Sequence, residues 1–226
     1  MGQDLRKCVF DGAPASNLYA SDLFPEYEAL SHDLWRDRAT FPPGHFLADD
    51  VLAANDQFTQ GALMTKLGPG QTDMIVINMF LHLFDYDTQL KVATRILRLL
   101  SHRPGSIILG SQAGVVSPIE QPLKPPFDKD DSGKTRTVFR HSTDSFVKLW
   151  EDAGAVSGVP LRPISCIFER PRAMEASPEG VDAGLGAELR KPLAAEDFRS
   201  TVSEKRKKNY VTSPETGRLY FSIVRS

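Results

Sequence analysis

One stretch of the chain leaves little freedom of fold. Met74-Ile75-Val76-Ile77 is a continuous apolar run, an amphipathic repeat follows from Asp85 to about Leu100, and a second apolar run occupies Ser106-Ile107-Ile108-Leu109-Gly110. Consecutive apolar residues are what a strand buried on both faces of a parallel sheet requires. Tyr86, Leu90, Ala93, Leu97 and Leu100 recur at three- and four-residue steps, so they share one helical face, and Pro104-Gly105 ends the pattern. Strand, helix and strand in that order form a crossover unit, which predicts a parallel sheet covered by helices.

The flanking segments extend this alternation. Residues 3–10 carry Leu5, Cys8 and Val9 at helical spacing, and Gly12 and Pro14 stop them. Residues 17–22 read as a strand, Pro25 with Glu26 and Glu28 starts a helix whose apolar stripe is Tyr27, Leu30 and Leu34, and Phe46-Leu47-Ala48 reads as a short strand ending in Asp49-Asp50. A polar or weakly helical connection runs from there to Gly70. The Pro-rich segment from Val115 to about Thr137 reads as a long loop, and Phe146, Leu149, Trp150 and Ala153 mark a further helix. Residues 164–168 and 219–224 read as strands with no helix between them, hence an antiparallel C-terminal hairpin. The polar segment 171–217 between them reads as a flexible insertion. The expected architecture is a single α/β domain spanning 1–226.

At 226 residues the chain can bury one substantial core. A net charge of −2 gives none of the basic footprint that nucleic-acid binders display, which leaves a small molecule as the expected partner. The basic run Lys205-Arg206-Lys207-Lys208 lies in a polar stretch and reads as solvated. Cys8 and Cys166 have no metal-ligand or redox spacing, so no metal is expected. No apolar run approaches membrane-spanning length, and the expectation is a soluble, cytoplasmic protein.

Four stretches carry a resemblance: Gly2-Gln3-Asp4-Leu5-Arg6, Leu18-Tyr19-Ala20-Ser21-Asp22-Leu23-Phe24-Pro25, Phe46-Leu47-Ala48-Asp49-Asp50-Val51, and the run from Asp73 through Phe80-Leu81-His82-Leu83-Phe84. With Pro-Gly-Ser-Ile-Ile-Leu-Gly at 104–110, their order resembles class I S-adenosylmethionine (SAM) methyltransferases over most of residues 2–160. The wording resembles the fungal group that acts on polyketides and meroterpenoids. The resemblance implies a Rossmann-like sheet with SAM as cofactor and an apolar or aromatic small-molecule acceptor. It implies that Asp22 holds the ribose hydroxyls with Leu23 flanking the adenine, that Asp50, in preference to Asp49, meets the adenine amino group with Val51 beside the ring, and that Asn78 lines the methionine end. Gly2 matches the last glycine of the family's glycine-rich turn. His82 falls where a base could serve the acceptor. The acceptor pocket would be built from the 115–141 loop and the residues after Asn78.

The resemblance also implies a gap. The family's first strand, central in the order 3-2-1-4-5-7-6, would precede Gly2, so a split sheet is expected, and three alternatives stay open: the chain is a fragment or mispredicted start of a longer protein, another segment fills the gap, or a homodimer completes it. Loss of the glycine-rich turn keeps two other readings open: a cyclase or isomerase on the same fold, and a non-catalytic dimerising partner.

Overall fold

The computed structural model describes residues 2–41, 43–130, 132–170 and 215–226. The chain opens with α1 (Gln3–Phe10), β1 (Ala20–Asp22), α2 (Glu26–Trp35) and β2 (Phe46–Ala48), followed by the short helices α3 (Asn55–Gln60) and α4 (Ala62–Leu67). Then come β3 (Met74–Asn78), α5 (Tyr86–Leu99), β4 (Ile107–Val115), β5 (Ile119–Pro122), β6 (Thr137–Arg140), α6 (Thr143–Ser157), β7 (Ser165–Glu169) and β8 (Thr216–Val224).

Among the described residues the strands form three separate sheets, one of them the β5–β6 pair. β1 and β2 pair in parallel, and β3, β4, β8 and β7 form a second sheet in that order, parallel between β3 and β4 and antiparallel beyond. Among the described residues no strand lies between β1 and β3, so the expected gap is present. β3 is also bare on one face. Ile77 is buried against α5 and α6, but Met74 and Val76, on the opposite face, are 58% and 47% exposed. The expectation of a strand covered on both faces is therefore corrected: β3 is covered on one.

The core lies on that covered face. Val92, Ala93, Ile96 and Leu97 of α5 and Phe146, Leu149, Trp150 and Ala153 of α6 close over Ile77, Ile108, Leu219, Phe221 and Ile223. Side chains cap both helices: Asp85 accepts from the Thr88 amide and Ser142 from the Ser145 amide, and Gly158 ends α6 in the left-handed conformation that glycine adopts without strain.

Four further expectations are corrected. α2 buries Ser31 and His32 while Leu30 and Leu34 face solvent, because its inward side meets the Arg6–Asp37 pair and not an apolar core. Residues 17–22 are strand only from Ala20, after a 3-10 turn at Ala15–Asn17. The 115–137 segment is not all loop: β5 pairs antiparallel with β6. Thr216 and Gly217, assigned to the insertion, belong to β8, where Gly217 pairs with Gly114. The rest of the proposed insertion, 171–214, and the basic run 205–208 lie outside the described residues. Among the described residues no helix is long and apolar enough to cross a membrane.

Candidate functional site

In an open α/β sheet the carboxyl ends of parallel strands and the loops that follow them form the ligand crevice. Three of the sequence-derived residues stand there. Asp22 is the last residue of β1, Asp50 follows β2 by two residues, and Asn78 ends β3. The parallel register Asp22↔Ala48 sets the first two at the same end of their sheet.

The two neighbouring carboxylates after β2 are used differently. Asp49 accepts from the Leu63 amide at 2.7 Å and caps α4. A Cβ at Gly61 would approach that carboxylate within 2.5–2.9 Å, so the space is fully occupied. Asp50 is exposed and bonds only the nearby Leu52 amide, at 2.8 Å, through one oxygen. Asp22 likewise engages one oxygen, which accepts from the Phe24 amide at 3.3 Å. Each therefore keeps a second oxygen available for a ligand hydroxyl or amine. Leu23 is 53% exposed beside Asp22, and Val51 is half-buried.

The loop carrying Asp50 and Val51 is held from behind by a residue that pattern reading passes over. Arg95 on α5 is almost fully buried, donates to the carbonyls of Val51 and Ala53 and to Asn55 Oδ1, and stacks 4.6 Å from the Phe58 ring centroid. Burial pushes its pKa down, yet three neutral acceptors satisfy the guanidinium. Its position among Val92, Ala93 and Ile96 makes it look like one more exposed helical charge, which hides it from pattern reading.

At the other side of the gap, Asn78 Nδ2 donates to Asp4 Oδ2 at 2.9 Å while its Oδ1 accepts from Ser111 Oγ at 3.2 Å. This contact brings the first turn of α1 to the end of β3. Gly2 caps α1 with φ 63°, a left-handed backbone in which a Cβ would also meet the Arg6 guanidinium at 2.5 Å. Arg6 reaches Asp37, which also bonds His32 Nδ1 at 2.9 Å, so α1 is locked to α2. Burial pushes the Asp37 carboxyl up, but its bonds to Arg6 and His32 and their charges outweigh that and hold it below the ordinary value.

His82 lies in the 3-10 turn Leu81–Leu83 just past β3. It is 8% exposed, its Nδ1 has no hydrogen-bond partner, and burial, with the charge of Arg140 added, pushes its pKa down to about 4. It is neutral at physiological pH. Met79, between Asn78 and this turn, has φ 52° and is 41% exposed. A positive φ on a non-glycine residue marks local strain of the kind found at ligand sites. The fold thus gathers Gly2, Asp4 and Asn78 on one side of the gap and Asp22, Leu23, Asp50 and Val51 on the β1–β2 side, with His82 beyond β3.

The acceptor set suits a nucleoside. Asp22 and Asp50 each leave an oxygen open at strand ends, and apolar side chains flank both. It suits the amino-acid end of SAM less fully, because only Gly2 and the Asp4–Asn78 pair represent that half.

No family model matches the chain. Over 156 residues it is 37% identical to the O-methyltransferase atr3 of Stereocaulon alpinum, covering 69% of this chain and 41% of that protein. Over 161 residues it is 37% identical to the methyltransferase adrK of Penicillium roqueforti, covering 71% and 52%. The chain spans about half the length of the curated relatives it matches. Among solved structures, phosphoethanolamine N-methyltransferase 2 of Haemonchus contortus superposes with a TM-score of 0.56 at 15% identity, over 99% of this chain and 46% of that one. The cyclase SpnF superposes with a TM-score of 0.53 at 12% identity, over 99% and 71%.

Proposed function

We propose, from the premise that this chain is a homologue of fungal methyltransferases, that it moves a methyl group from SAM to an oxygen of a fungal secondary metabolite. The observation that carries this reading is the row of strand ends. Asp22, Asp50 and Asn78 each stand at or just past the carboxyl end of a different parallel strand, with an available polar atom or a bond to the first turn of α1.

SAM supplies an activated sulfonium methyl. The chain's residues have only to orient the partners and exclude water, since alignment accounts for much of the rate in such a displacement. In this reading Asp22 accepts from the vicinal ribose hydroxyls with Leu23 against the adenine, Asp50 accepts from the adenine amino group with Val51 beside the ring, and Gly2 and Asn78 line the methionine end. Met79, His82 and the β5–β6 hairpin border the acceptor, whose apolar or aromatic body fits the side chains there. With a pKa near 4, His82 is a weak base and serves better as a neutral hydrogen-bonding group.

A cytoplasmic protein that can form a homodimer completes the proposal. Two free cysteines and the strand-free gap between β1 and β3 support those two points respectively. The gap also favours a second reading, a methyltransferase-fold protein that does not methylate, because a fold hosts more than one chemistry. Calorimetric titration with S-adenosylhomocysteine separates the two. Saturable binding that Asp22→Ala weakens supports the first, and no heat from the unsubstituted protein favours the second.

A further inference from the structure

We propose that Arg140, beside His82, is the anchor for an anionic oxygen of the acceptor, a carboxylate or phenolate. This rests on reading the end of β3 as the acceptor side, and it adds a charge requirement that the reading alone does not contain.

Arg140 ends β6 and is half-buried, and among the described residues its guanidinium makes no hydrogen bond or ion pair. The other inward arginines are engaged, Arg6 by Asp37 and Arg95 by three neutral acceptors. None of its nitrogens is among the sealed atoms that lack a partner, so the guanidinium stays open to a ligand, and a half-buried cation without a counter-charge gains from a ligand anion. Burial pushes the Arg140 pKa down, as expected of a cation without a counter-charge.

The place is built and held in position. The Phe139 amide donates to the Phe84 carbonyl at 2.9 Å, and Gln89 Nε2, on a fully buried side chain, donates to the carbonyls of both Phe84 and Phe139 at 2.9 Å. These bonds fasten the residue before Arg140 to the segment that carries His82. The charge of Arg140 is felt at His82, whose sealed Nδ1 lacks a partner. The cationic fork, without a partner among the described residues, therefore stands beside a neutral imidazole past β3. A carboxylate accepts two parallel bonds from a guanidinium and leaves lone pairs for a second donor. Phe80 and Phe84, edge to face at 5.2 Å, and the exposed Met79 supply apolar surface nearby for the rest of an acceptor.

Calorimetry with benzoate and its neutral isostere benzamide tests this on the full chain without SAM. Benzoate is expected to bind roughly tenfold tighter or better, the scale of a charge-assisted pair. Arg140→Gln should abolish the preference, and Arg103→Gln, an exposed arginine paired with Asp73, should leave it. Equal affinity for the two probes, or a preference that survives Arg140→Gln, overturns the proposal. If Arg140→Gln does not fold, modification of the unsubstituted protein with phenylglyoxal decides instead: benzoate and not benzamide should protect Arg140, and absence of protection overturns it. A benzoate preference without S-adenosylhomocysteine binding would keep the anion site and sink methyl transfer, so the two failures are distinct.

Discussion

Asp22 and Asp49 are joined by a backbone hydrogen bond of 3.0 Å, yet their carboxylates have different tasks. Asp49 caps α4, so Asp49→Ala should cost about 1 kcal/mol of stability, the usual worth of a capping side chain, and leave ligand affinity nearly unchanged. Asp22→Ala should do the reverse, weakening S-adenosylhomocysteine by about 2–3 kcal/mol while the urea midpoint holds. Calorimetry and denaturation on both variants check the split, and equal small affinity losses would remove the assignment of Asp22. The histidines give a second test. His82 and His141 are both pushed down to about 4, mainly by burial, with Arg140 adding to the shift at His82 and a bond to Ser145 opposing it at His141. The unfolded chain binds these protons near 6.5 and the folded chain does not. Stability should therefore be full above about pH 6.5 and fall as pH drops toward 4, by on the order of 2–3 kcal/mol per histidine. Urea midpoints measured across that window should show the loss, and His141→Phe should flatten the slope by one proton. At this scale the sequence revealed what sits at a strand end, as Asp22 and Asn78 do. It did not reveal Asp4, Arg95 or Arg140, whose roles depend on contacts 40–74 residues away or on the absence of a partner among the described residues.

The elements were most legible where periodicity and punctuation agree. Asp85 and Leu100 bound α5 as the repeat indicated, because an N-cap carboxylate and Pro104-Gly105 frame it. β5 and β6 escaped notice because the four residues of β5 are all exposed and Pro122 interrupts any alternation. α2 misled for the opposite reason: its apolar residues are real, but its inward face is fixed by Arg6, His32 and Asp37. The junction of β3 and β4 offers an element-scale prediction. A Cβ on Gly110 would stand 1.9 Å from the Ile77 carbonyl oxygen and 2.7 Å from its carbon, both backbone atoms that cannot rotate away. Gly110→Ala must pry the two strands apart beneath Phe221. The expected loss is about 3 kcal/mol or more, beyond ordinary overpacking because a backbone is displaced, and urea denaturation measures it. A loss below about 1 kcal/mol would mean that β3 and β4 separate easily there.

At the scale of the whole molecule, the divided sheet was what the family resemblance implied, since the stretches that carry it match the family's second strand onward. The sequence did not show how the fold tolerates the division. β3 leaves Met74 and Val76 in solvent, while the tie between Asp4 and Asn78 and the lock between α1 and α2 keep the first three elements attached. Open, apolar strand edges recruit partners, so the protein at micromolar concentration should self-associate by light scattering. A five-residue apolar strand and a glycine-rich turn fused ahead of Gly2 should pair with β1 and β3 and satisfy their open backbone edges. Each ladder hydrogen bond so formed is worth about 0.5–1.5 kcal/mol net before ordering costs, so a gain of a few kcal/mol is expected. The turn would add backbone N–H donors at the start of α1, where an anionic carboxylate is favoured. Stability, S-adenosylhomocysteine affinity and monomer content should therefore rise together. Hydrogen exchange gives the sharpest reading: amides of β1 and β3 should exchange fast in the unfused protein and slowly in the fusion. An unfused protein that is a monodisperse monomer, with those amides already protected and affinity unchanged by the fusion, would show that residues outside the described ones already fill the gap.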